Sequence, residues 1–132
     1  MIPHAPYIST AIKQKRDLEE TEQNPFKCIQ EGYPRSDIYD LYLSDLKYIL
    51  DEVELLRDNI DCNKLVVSSD HGEAFGELGV YMHHVGSLHP HVRRVPWMVT
   101  SAKDKRTHNP KIDYSGIGER QAKEALEALG YL

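Results

Sequence analysis

The segment from Ser36 to Asp61 constrains this chain more than any other. Ile38, Leu41, Tyr42, Ile49, Val53, Leu56 and Ile60 recur at three- and four-residue steps, the spacing of one face of an α-helix. Eight Asp and Glu against two Lys and Arg between Asp37 and Asp61 supply the opposite, solvated face. Ser36 stands where a helix cap is expected. The run Leu65-Val66-Val67-Ser68-Ser69 follows, bounded by Asp61-Cys62-Asn63 and Asp70-His71-Gly72. Such an apolar run after a long helix reads as a buried parallel strand. A second run, Val95 to Thr100, tolerates Pro96 because the proline lies near its start.

The flanks are plainer. Residues 1–35 read mostly as loop, with a short helix over Ile12 to Glu22 and a turn at Asn24-Pro25. Ile117, Ala122, Ala125, Leu126 and Leu129 form a closing helix over 116–130, stopped by Gly130. The order loop, helix, strand, long loop, strand, helix predicts an α/β fold. At 132 residues the chain has room for one ordinary domain. A hydrophobic fraction of 40%, 28% charged residues and a mean hydropathy of -0.55 fit a soluble globular protein. No apolar run approaches the roughly 20 residues that span a bilayer, and the opening residues carry no secretory signal, so a cytoplasmic location is expected. The net charge of -5 disfavours nucleic acid or an anionic membrane as partner. Two cysteines, Cys28 and Cys62, read as reduced thiols.

The histidines are unevenly placed. Five of the seven, His71, His83, His84, His89 and His91, fall within twenty-one consecutive residues. Asp70 and His71 stand at the carboxyl end of the first predicted strand, where α/β sheets gather their ligands, and Gly72 permits the turn that lets both converge. A carboxylate oxygen and an imidazole nitrogen suit zinc, manganese or a related divalent ion; an Asp-His-Gly turn that only caps its own backbone is the plainer alternative. The glycine-punctuated loop from Gly72 to His84 is too long for a simple turn, and Phe75 and Tyr81 within it argue against disorder.

Ser69-Asp70-His71-Gly72-Glu73, then Gly76-Glu77, Gly79, Tyr81 and His83, then Arg94-Val95-Pro96, resembles the second half of the sulfatase-like members of the alkaline phosphatase superfamily. That group includes the sulfatases, the phosphoethanolamine transferases and the lipoteichoic acid synthases. Pro3-His4-Ala5-Pro6-Tyr7 is similar to the histidine segment that precedes the acidic helix in those enzymes, and Leu126 to Leu132 to their closing helix. The resemblance implies the C-terminal half of a three-layer α/β/α sandwich. It implies Asp70 and His71 as ligands of a divalent ion (zinc, manganese or calcium), and His83 and His4 as contacts to the oxygens of the transferred group. His84, beside His83, is expected to line the substrate pocket. For His89 and His91 a loop or surface role is the expectation, Arg94 is a candidate for steering an anionic substrate, and Glu73 and Glu77 are expected to fix the loop.

The departures count equally. These enzymes carry a Thr, Ser or modified Cys nucleophile with acidic metal ligands in their first half, and no such segment is found here. Cys28 is followed by Ile29-Gln30-Glu31 and lacks the sulfatase maturation motif; Thr10 and Ser36 have no supporting pattern. The resemblance therefore implies a metal-dependent hydrolase of sulfuric or phosphoric esters, represented by its C-terminal half, with the nucleophile-bearing half or a second copy as partner. A phosphoethanolamine- or phosphoglycerol-type transferase fragment, a non-catalytic metal- and anion-binding module, and a structural domain whose histidines merely pack are the alternatives. The boundaries expected are 1–35 with the substrate-side His4, 36–61 for the acidic helix, 64–100 for the metal-site strand, loop and strand, and 116–130 for the closing helix. The sheet edge is expected to be exposed, awaiting a partner.

Overall fold

The computed structural model describes residues 3–109, so the helix expected over 116–130 lies outside the described residues. Where the sequence reading expected mostly loop there are three short helices, α1 (Ser9–Gln14), α2 (Glu20–Gln23) and α3 (Pro25–Gln30). The single helix expected over Ile12 to Glu22 is broken by Lys15, which adopts φ 52°. Each short helix has its own start or stop. The Glu19 N–H donates to Glu22 Oε2 at 2.8 Å ahead of α2, and Pro25 opens α3, where a missing N–H costs nothing. Gly32, at φ 100°, takes the left-handed conformation that lets the Tyr33 N–H reach Cys28 O at 3.0 Å and close α3.

The long helix α4 spans Arg35–Arg57, about 35 Å at the α-helical rise of ~1.5 Å per residue. Ser36 is not its cap. Pro34 holds that position, and Ser36 lies in the first turn, donating its hydroxyl to Asp37 Oδ1 at 3.0 Å. The helix stops short of Asp61 because the Asn59 amide turns back to Leu55 O at 2.8 Å. Ile38 and, two turns later on the same face, Asp45 are fully buried. Asp45 caps α1 from across the interface: Oδ2 accepts from Ile8 N–H at 3.1 Å and Oδ1 from Ser9 N–H at 2.8 Å. Two of α1's orphan donors thus find a charged acceptor, and the carboxylate's burial is compensated. Glu22 is buried in the same manner, held by Arg16 at 2.7 and 2.8 Å.

Strand β1 (Cys62–Ser68) follows, then β2 (Ala74–Phe75), a 3-10 turn at Glu77–Gly79, β3 (Tyr81–Met82), the helical turn α5 (Pro90–Arg93) and β4 (Trp97–Ala102). The β2 and β3 pair antiparallel, with Ala74 opposite Met82 and Phe75 opposite Tyr81. Phe75 then inserts among Phe26, Tyr39 and Tyr42, at ring-centroid distances of 5.6, 5.3 and 5.3 Å. Tyr7, Phe26, Cys28, Ile38 and Phe75 make the core, with Tyr42 packed against it, so the loop that bears the histidines is anchored to the first turns of α4.

The strand expectation requires correction. β1 pairs antiparallel with β4, Val66 opposite Val99 and Val67 opposite Met98, and neither strand is buried. A parallel return needs a crossover that carries the chain to the far end of the sheet. The excursion between Ser68 and Trp97 instead folds back on itself, closed at its base by the Gly72 N–H to Val92 O bond at 2.9 Å, and re-enters at the end it left. β4 also starts at Trp97, two residues later than expected, with Pro96 just outside it. The chain is a mixed α/β structure with two small antiparallel sheets. No described helix is long and apolar enough to cross a membrane.

Candidate functional site

Gly72 is what allows the strand end and α5 to meet. A Cβ there would collide with the carbonyl oxygen of His91, so the residue is required for close backbone approach and not, as the sequence reading had it, for an unusual turn dihedral. This contact turns the peptide after β1 so that Asp70, His71 and Glu73 face a cleft of about 1260 Å³ between α4 and the strand end. His4, His83, His91 and Arg94 line the same cleft, as does an apolar wall from α4 that includes Leu46, Ile49 and Val53.

Three of the imidazoles form one cluster. His71 and His83 stack, with centroids 3.8 Å apart and planes at 19°. His4, from a position 79 residues away, meets His83 edge-on, the two Nε2 atoms 3.4 Å apart. Each ring is anchored through its other nitrogen: His4 Nδ1 at 2.8 Å from Ala5 O, His71 Nδ1 at 3.0 Å from Gly72 O, and His83 Nδ1 at 3.0 and 3.1 Å from the Glu73 carboxylate. Tyr7, deeper in the same region, has a buried hydroxyl with no hydrogen-bond partner among the described residues. Burial first, and the nearby Glu73 charge second, push its phenol far above the usual range, so it stays protonated at every physiological pH.

Asp70 is 54% exposed and its Oδ1 lies 3.8 Å from His71 Nε2. Two ligand atoms, each about 2.0–2.2 Å from one divalent ion, stand roughly 3–4 Å apart, so this oxygen and nitrogen fit a pair of neighbouring ligands. The Gly72 carbonyl on Nδ1 leaves Nε2 as the available donor, the usual outer-shell arrangement for a metal-binding imidazole. A complete ligand set is not formed: among the described residues no group of three or more His, Cys, Asp or Glu is placed to hold a metal ion.

The remaining candidates separate. His84 is exposed and lines a second, smaller cavity with Phe26 and Met82, away from the His71–His83 stack. His89 caps α5 by accepting the His91 N–H on Nδ1 at 3.3 Å. His91 is exposed, as expected, and also lines the cleft, 3.6 Å from Glu77. Arg35 reaches Glu77 as well, at 3.6 Å. Burial alone would raise the Glu77 carboxyl, but the N–H groups of Glu77 and Phe75, then His91 and Arg35, bring it below the ordinary range. Cys28 is fully buried in the core, and burial pushes its thiol up, which agrees with its rejection as a nucleophile. Glu73 was read only as a loop-fixing residue; the spacing that marks it is the register of β2 and β3, which no sequence pattern this short reveals. Comparison with protein-family models, curated proteins and solved structures gave no match.

Proposed function

We propose that this chain carries the metal- and oxyanion-binding part of a sulfatase-like hydrolase of sulfuric or phosphoric esters. One observation carries the reading: His4, His71 and His83, from distant parts of the sequence, meet on one wall of the cleft beside Asp70. In this reading Asp70 and His71 hold a divalent ion, and His83 and His4 contact the oxygens of the transferred group. The ion, when bound, stabilises negative charge on the ester oxygens. Imidazoles protonated on Nε2 do the same from the same wall, and Arg94 adds positive charge to the cleft. The finer architecture, one half of an α/β/α sandwich, belongs to the same proposal; a long helix beside a sheet with an open apolar face supports it. A histidine at position 83 fits phosphoryl transfer as well as sulfuryl transfer.

A second reading, a non-catalytic metal- and anion-binding module, is favoured by one fact. Among the described residues no hydroxyl or thiol hydrogen-bonds to the rings of the cluster. Calorimetric titration with zinc, manganese and calcium tests what both readings share. The double variant Asp70→Ala, His71→Ala should lose at least tenfold in affinity for the preferred ion; unchanged affinity removes the metal assignment. Cleavage of aryl sulfate and aryl phosphate esters with that ion bound then separates the hydrolase from the module.

A further inference from the structure

The rings of His4 and His71 are anchored by backbone carbonyls, whereas His83 is anchored by a side chain. We infer that Glu73 is a positioning residue for His83, holding its imidazole as the Nδ1–H tautomer with Nε2 turned to the cleft. This rests on the reading above, in which His83 meets the oxygens of the transferred group, and names what sets its direction.

The Glu73 side chain is only 6% exposed, and both its oxygens lie on His83 Nδ1, Oε2 at 3.0 Å and Oε1 at 3.1 Å. A carboxylate so removed from water needs donors, and among the described residues its hydrogen bonds go to this one nitrogen. An ionised carboxylate only accepts, so Nδ1 carries the hydrogen and the neutral ring leaves Nε2 as a lone pair. That nitrogen lies 3.4 Å from His4 Nε2. His4 Nδ1 likewise carries a hydrogen, because the Ala5 carbonyl can only accept. The pairing of Ala74 with Met82 builds the contact: Glu73 and His83 are the next residues outward on the two strands and face each other across the end of the ladder.

Long-range 1H–15N correlation of the histidine rings, on the full chain without added metal or ester and at an alkaline pH where imidazoles are neutral, tests this directly. The wild type should show His83 as the Nδ1–H form. Glu73→Gln, whose amide oxygen still accepts, should keep it. Glu73→Ala should lose it in favour of the Nε2–H form while the backbone amide spectrum stays in place. Persistence of the Nδ1–H form in Glu73→Ala, or its absence from the wild type, overturns the inference. Should Glu73→Ala fail to fold, His4→Ala decides: the Nδ1–H form must survive there, and its loss would assign the orientation to His4 instead. The readout needs neither turnover nor a bound ion, so failure of the hydrolase reading leaves it standing, and its own failure leaves that reading standing.

Discussion

The two small sheets of this molecule are both antiparallel pairs and have opposite fates. β2 and β3 contribute two residues each, yet Ala74 and Phe75 are buried and tie the histidine loop to the aromatic core. β1 and β4 are longer, and most of their apolar side chains are exposed: Trp97 at 72%, Val99 at 53%, Met98 at 47%. The difference lies in what covers them. Helix α3 and the first turns of α4 pack on Phe75 and Tyr81, whereas the cleft separates β1 from α4 and neither edge of the β1–β4 pair has a strand partner among the described residues. Strand length therefore says little about stability; a two-stranded ribbon contributes only when another layer buries one of its faces.

The contrast can be broken most sharply at Phe75. Replacing it by Ala removes the ring that joins Phe26, Tyr39 and Tyr42, and should cost about 3–5 kcal/mol in urea unfolding and displace the His83 loop. A loss below about 1 kcal/mol would mean that the aromatic cluster is not the cohesive region. An intermediate effect concerns pH. Arg16 first, with the Glu19 N–H, holds the Glu22 carboxyl below its ordinary range. The unfolded chain therefore takes up the proton first as pH falls, and the stabilisation present at neutral pH is lost from about pH 5 downward through the folded value. Stability measured between pH 7 and pH 3 should fall less steeply in Glu22→Gln; Glu77, whose carboxyl is lowered too, contributes to the slope that remains. An unchanged profile would show that the Arg16–Glu22 pair does not hold the N-terminal helices. The smallest effect is expected at Trp97, where Thr should shift stability by no more than about 0.5 kcal/mol while reducing binding of an apolar dye. A large destabilisation there would show that the β1–β4 face is covered in solution.

Long α4 was legible because twenty-three residues repeat one pattern, and its observed limits differ from the expected ones by one residue at the start and four at the end. β1 and β4 were legible as strands for the same reason, but their antiparallel pairing was not. Direction depends on where the connecting excursion returns, and that is decided by the contact of Gly72 with α5. One short helix was expected over Ile12 to Glu22, where α1 and α2 stand apart, because the groups that cap these two are not the usual residues. A carboxylate from α4 caps α1, and Glu22 opens α2.

At the site, the strand-end pair Asp70 and His71 and the spaced His83 stood out by motif, and the structure brings His4 to them. It sends His84 to another cavity, and the close approach of Gly72 to α5 sets His91 at the cleft. The sequence by itself determined the helix, the strand segments and the residue types able to bind a cation or an anion, because periodicity and side-chain chemistry are local. Only the tertiary structure decided that His4, His71 and His83 share one point and that Glu73 directs one of them. Those relations depend on backbone approach across 79 residues, and local pattern carries no record of distance.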